Sequence, residues 1–226
     1  MGITESDLDA KEQETLEQML DQGSPGRHSP GLPGYSQASQ DLFALWVCGY
    51  NCTYLELGAF HPVCLSNTFL LEQGGWSGES IELNSRCEGT WSIFRRNPLF
   101  IGDATIGLSE RVDRLRPDYV SVDIDAGNLE AIRAVLAASH RPKCLTVETN
   151  DYKPELNIAE QVAPLMVAAG YMAAAERVAV CGFAFESFWV HESVPDHQKY
   201  RVADGIDHHE IVVAMLHSGF RLDNLR

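Results

Sequence analysis

One stretch of the chain limits the available folds more than any other. A strand-like run, Thr53-Tyr54-Leu55-Glu56-Leu57, meets the turn Gly58-Ala59-Phe60-His61-Pro62, and a second run, Ser80-Ile81-Glu82-Leu83, follows. Both runs close on acids, Glu56 and Glu82, 26 residues apart. A strand, a glycine turn, a short helix and a second strand ending on a carboxylate make the nucleotide-cradling half of a doubly wound sheet. The second acid there accepts hydrogen bonds from ribose hydroxyls. A dinucleotide would require G-x-G-x-x-G so that backbone can approach a pyrophosphate. Here only Gly58 is present, and Phe60-His61-Pro62 stands where the later glycines belong. The segment therefore suits a nucleoside ligand without a pyrophosphate.

The remaining chain extends the same architecture. Strands are expected near 53–57, 80–83, 99–103, 118–123 and 143–148, with helices near 66–73, 128–139 and 156–169. Such alternation means a mostly parallel sheet covered on both faces. After Gly170 the runs Tyr171 to Val180 and Ser187 to His191 have no helix between them, as a closing hairpin with an antiparallel C-terminal edge strand would. Asp207 to Leu216 reads as a last helix. The expected fold is thus α/β and Rossmann-like. Ahead of it, residues 4–22 read as an acidic helix with a thin stripe of Leu8, Leu16, Met19 and Leu20, and a Pro/Gly-rich linker follows. This divides the chain into an arm and linker, 1–34, and one domain, 35–226; the arm is a candidate lid, a homodimer contact or a disordered tail.

Charge narrows the partners. The formal net charge is −15 over 226 residues, and without residues 1–22, which hold seven acids and one Lys, the remainder still carries −9. Nucleic-acid affinity rests on Lys and Arg neutralising phosphates, so nucleic acid is excluded as a partner and a small molecule is the expected acceptor. No apolar run reaches membrane-span length and the N-terminus lacks a secretory pattern, so no membrane partner and a cytoplasmic location are expected. Six cysteines, none in a C-x-x-C pair, are expected as free thiols.

The words around the turn stand in a recognisable order: Glu56-Leu57-Gly58-Ala59-Phe60-His61-Pro62, Ser66-Asn67-Thr68, Leu71-Glu72, Gly75-Trp76-Ser77-Gly78, then Ile81-Glu82-Leu83-Asn84. With Ser36 to Asp41 upstream and Asp118 to Asp125 downstream, this series resembles the FkbM family of S-adenosylmethionine-dependent methyltransferases over roughly residues 36–150. The chain differs from the family in having Glu56 for Asp, Pro62 for Gly and Asp125-Ala126-Gly127-Asn128 for Glu-Gly-Ala-Glu. The resemblance implies a class I methyltransferase fold, S-adenosyl-L-methionine as cofactor, and a hydroxyl of a sugar or natural-product scaffold as acceptor. An N-methyltransferase, or a non-catalytic interaction protein on the same scaffold, is the alternative. S-adenosylmethionine has no phosphate, so it needs the ribose acid and one close-approach glycine only.

Candidate cofactor residues follow. Glu56 would hold water or the methionine amino group, Gly58 would allow close backbone approach, Glu82 would accept both ribose hydroxyls, and Leu83 would lie on the adenine face. Asp103, followed by Ala104, would bind the adenine amino group or else cap its own turn. Asn67 faces the crevice beside the helix cap Ser66, and Gln37 would close over the cofactor carboxylate. Asp123, Asp125 and Asn150 follow the fourth and fifth strands, making an all-oxygen set for Mg²⁺ or Mn²⁺; the competing reading is amino-group binding by Asp123 with turn roles for the others. For methyl transfer, a group able to take the acceptor proton is needed, and Asp123, His61 and His191 are the candidates.

Overall fold

In a computed structural model, residues 34–222 are described. The expected acidic arm and nearly all of its linker, and residues 223–226, lie outside the described residues. Seven strands form one sheet: β1 (Thr53–Leu57), β2 (Ser77–Glu82), β3 (Leu99–Ile101), β4 (Tyr119–Val122), β5 (Cys144–Glu148), β6 (Tyr171–Val180) and β7 (Phe183–His191). Their order is β3-β2-β1-β4-β5-β7-β6, parallel except that β7 runs antiparallel to both β5 and β6. The order reverses between β1 and β4, and in such sheets the crevice beyond the strand carboxyl ends at that point is where ligands bind.

Alternation along each strand sends side chains to opposite faces. Leu55, Leu57, Val120, Val122, Leu145, Val147 and Trp189 form one core with Val112, Ile132, Val135, Val162 and Met166 of helices α4 (Leu108–Leu115), α5 (Asn128–Ala137) and α6 (Ala159–Ala168). Tyr54, Tyr119, Cys144, Phe188 and Val190 face the other way, against α1 (Gln40–Cys48) and α7 (His209–His217). Phe43 of α1 meets Phe188 edge-on at 4.9 Å and Trp46 meets Tyr200 at 5.0 Å. This second face is apolar only over its amino-terminal half. In the register Ser80, Glu56, Ser121 and Thr146 stand side by side, and one step further toward the carboxyl ends Glu148 pairs with Glu186.

The short helices α2 (Phe69–Gln73) and α3 (Glu88–Phe94) connect β1 to β2 and β2 to β3. Three helices, α1, α3 and α4, were not anticipated. Gln40 to Val47 are all buried, so α1 lacks the polar face that marks a helix in sequence. In α4 only Leu108 and Val112 are buried, too sparse a stripe to stand out among its charges.

Candidate active site

The β1 acid turns away from the expected role. Glu56 is 1% exposed; its Oε2 accepts from Thr68 Oγ1 at 2.8 Å and Ser80 Oγ at 2.6 Å, with Arg95 Nη2 at 4.0 Å. Arg95, itself buried, pairs with Glu72 at 2.6 Å and donates to Ser66, Tyr54 and Thr68. Burial raises the Glu56 pKa while Arg95 opposes the rise. Glu56 thus belongs to a polar layer under the crevice floor rather than to its surface, and Arg95, which sequence reasoning missed, is the centre of that layer.

Gly58 has a φ of +82°, and a Cβ there would stand 1.7 Å from the Asp123 carbonyl oxygen. The close approach it permits is that of the β1 turn to the end of β4. Glu82 holds the same turn from the other side: Oε2 accepts from Phe60 N at 2.7 Å and Oε1 from Asn84 N at 2.8 Å. Phe60 sits at φ +48°, a region costly for a side-chain-bearing residue, so this clamp offsets local strain. Leu83 beside it is half-buried. Asp103 Oδ1 accepts from Thr105 N and Oγ1 at 2.9 and 2.7 Å, which is the turn cap, and Ala104 packs into the core. Gln37 is exposed in the turn before α1, whose Asp41 is fully buried and accepts from Tyr35 N, Ser36 N and Leu42 N.

Among the described residues, two buried amides have an oxygen without a partner. Asn67, 4% exposed, donates Nδ2 to Ser121 Oγ at 2.9 Å, and its Oδ1 has no donor. Asn150, 1% exposed at φ +53°, has the same deficit at Oδ1. Buried polar atoms are nearly always satisfied, and leaving one unmade costs about 1–3 kcal/mol, so each marks a place for a donor beyond those of the described residues. Asn67 bonds to β4 from the α2 side, at the point where the sheet order reverses. An α-ammonium, which S-adenosylmethionine carries, is a donor of the kind that Asn67 Oδ1 lacks, and each Glu82 oxygen, already accepting one backbone N–H, has a further lone pair of the kind a ribose hydroxyl uses.

Beyond β4 the crevice is lined with acids. Burial pushes the Asp123 carboxyl well up, reinforced by Glu148 and Asp125. Glu148 is raised by burial and Asp125. Glu186, 2% exposed, is raised well up by burial, then by Asp123 and Glu148, against one hydrogen bond from Gln40 Nε2 at 3.2 Å. Asp125 is exposed at φ +52°. Among the described residues the one group of three His, Cys, Asp or Glu ligand atoms mutually within 4.8 Å is Asp207, His208 and His209, and there Asp207 accepts from His209 N at 3.0 Å as a local cap. A Mg²⁺ or Mn²⁺ site at Asp123, Asp125 and Asn150 has no support of this kind.

The two histidines stand elsewhere than expected. His61 is buried, and its Nδ1 accepts from Val63 N at 3.0 Å and Cys64 N at 2.8 Å; burial lowers its pKa. That nitrogen is a turn cap, which leaves no lone pair for an acceptor proton. His191 pairs with Tyr171, and its N–H donates to Lys143 O, at the amino end of β5. It lies at the opposite end of the sheet because β7 runs antiparallel. The same reversal brings the start of β7 to the crevice, which is why Glu186 belongs here and was overlooked. Treating β7 as antiparallel to β5 would have paired Glu186 with Glu148.

The strand order 3-2-1-4-5-7-6 with its single reversed strand is the fold of the class I S-adenosylmethionine-dependent methyltransferases. No family model and no curated protein sequence matches the chain, so kinship with the FkbM family does not come from that direction. The likeness is to solved structures. A TehB-like SAM-dependent methyltransferase from Corynebacterium glutamicum matches with a TM-score of 0.56 at 10% identity, over 81% of this chain and 99% of its own. The O-methyltransferase from Bacillus cereus, solved with SAH, matches at 0.54 and 14%, over 82% and 93%. TomG from Streptomyces achromogenes, an O-methyltransferase of tomaymycin synthesis solved with SAM, matches at 0.54 and 14%, over 82% and 91%.

Proposed function

We propose that the chain is an S-adenosylmethionine-dependent O-methyltransferase of the FkbM kind, acting in the cytoplasm on a hydroxyl of a small molecule such as a sugar or natural-product scaffold. The observation that carries this reading is the unpartnered Asn67 Oδ1 beside β4, on a sheet whose β2 closes on the Glu82 clamp. The two O-methyltransferases among the similar structures support oxygen as the acceptor atom.

When bound, S-adenosylmethionine supplies a methyl group on a sulfonium, open to in-line attack. Glu82 would accept from the ribose, with Leu83 against the adenine, and Asn67 Oδ1 would accept from the ammonium. The protein then has to orient the hydroxyl and take its proton. Asp123, which follows β4 at the point where the strand order reverses, is the base; burial raises its carboxyl, reinforced by Glu148 and Asp125. His61 is occupied by its turn and His191 is at the wrong end of the sheet.

Calorimetry with S-adenosylhomocysteine tests the cofactor. Binding is expected, and Glu82→Ala should weaken it at least tenfold, since charged hydrogen bonds contribute about 1.5–3 kcal/mol each. A wild-type protein that binds no S-adenosylhomocysteine would end the reading.

A further inference from the structure

We propose that the acceptor carries a protonated amine besides its hydroxyl, as an amino sugar or amino alcohol does, and that Glu148, Glu186 and the Asn150 amide oxygen bind this ammonium. The inference rests on the methyltransferase reading and names its substrate class.

Acids crowd this end of the crevice, and Lys153, the cation whose charge bears on Glu148, forms no ion pair with it among the described residues. Glu148 and Glu186 are cross-strand partners, and like charges placed opposite each other repel. Glu148 accepts from the neutral amide Asn128 Nδ2 at 3.2 Å and Glu186 from Gln40 Nε2 at 3.2 Å, and Glu148 also lies against the Asn150 amide and the Asp123 carboxyl. Among the described residues neither acid forms an ion pair. Asn150 adds an acceptor oxygen that is fully buried and has no donor. A ligand that supplies several N–H donors and one positive charge removes all three deficits together, which a second hydroxyl does not.

The cofactor's own ammonium does not account for them. It belongs at the β1/β4 reversal with Asn67, whereas β5 and β7 lie one and two strands beyond β4, roughly 5 and 10 Å away at the usual strand spacing. A divalent ion takes six or more oxygens about one point, and among the described residues the acids here do not gather three such ligand atoms together. The rim adds an independent indication. Tyr152 and Phe183 are large, exposed and edge-to-face at 5.6 Å, and Tyr152 N bonds to Ala184 O, which ties the rim to the start of β7. Lys153 already places its ammonium 5.1 Å from the Tyr152 ring centroid, and aromatic faces hold cations in this way.

The test uses the smallest matched pair of probes, ethanolamine and ethylene glycol, titrated into full-length protein saturated with S-adenosylhomocysteine at constant ionic strength. Binding is read from the Asn150 side-chain amide and the Glu186 backbone amide by NMR. Ethanolamine is expected to bind at least about tenfold more tightly than ethylene glycol. Glu186→Gln should close that gap while S-adenosylhomocysteine affinity stays unchanged. Equal affinity for the two probes, shifts from neither, or a preference for ethanolamine that survives in Glu186→Gln would each overturn the proposal. So would displacement of ethanolamine by Mg²⁺, which would make this a metal site. Failure of S-adenosylhomocysteine to bind is read separately and counts against the cofactor instead.

Discussion

Replacing Gly58 with Ala tests why a glycine stands at the end of β1. Two costs are involved, and they can be separated. Positive φ is the first, about 1–2 kcal/mol for a residue with a Cβ. Gly107, at φ +63° with nothing within 4 Å of where a methyl carbon would stand, would incur that cost alone. The second is contact. At Gly58 the added carbon lies 1.7 Å from the Asp123 carbonyl oxygen, where real contacts stay above 3.0 Å, so the β1 turn and the β4 end must part by about 1.3 Å. The ladder bond from Asp123 N to Leu57 O, now 3.0 Å, cannot survive such a shift, and its loss adds about 1 kcal/mol. With overpacking strain of about 1–3 kcal/mol, Gly58→Ala should destabilise by about 3–6 kcal/mol against about 1–2 for Gly107→Ala. Urea unfolding of both variants measures the difference. Equal losses would show that the turn yields freely and that the close approach to Asp123 is not what requires glycine.

Arg95→Met should destabilise by about 3–5 kcal/mol, because it strands Glu56 and Glu72 without their cation in a buried layer; a loss under about 1 kcal/mol in chemical unfolding would show that the acids simply take up protons. His61 has a folded pKa below its unfolded value, so its contribution to stability is present above the unfolded pKa and is lost as pH falls below about 6.5. His61→Asn should therefore flatten the decline in melting temperature between neutral and mildly acidic pH, and an unchanged slope would contradict the assignment. Dialysis against EDTA should leave S-adenosylhomocysteine affinity as it was; a loss restored by Mg²⁺ or Mn²⁺ would establish the divalent site at Asp123, Asp125 and Asn150.

Strand-level architecture was legible because it depends on local alternation. All seven strands were anticipated, and so was the reversed hairpin, since apolar runs bounded by Gly58, Gly102 and Gly170 carry their own punctuation. What escaped is what depends on the third dimension. Arg95 is a buried hub that drew no notice in the sequence, because its partners come from residues 54 to 72 and no spacing along the chain announces them. Glu56 and Glu82 look alike as strand-end acids. They part because Glu56 is taken up by the hydroxyls of Thr68 and Ser80, whereas Glu82 reaches only backbone N–H groups. His191 illustrates the remaining gap: strand direction decides which end of a strand meets ligand, and naming a strand antiparallel is not yet using it.

The reversed β7 also gives the molecule an order of assembly. Everything that would grip the nucleoside lies between residues 53 and 105, so that half can close early in synthesis, from contacts short in sequence. Glu186 arrives with the hairpin of residues 171–191, and until it pairs, β5 stands as an open edge with Leu145 and Val147 in its ladder. A chain stalled or cleaved ahead of the hairpin would offer that edge to other chains, and aggregation is the expected fate of such an edge. Quality control of this protein therefore turns on its last quarter, where Glu186 completes the crevice.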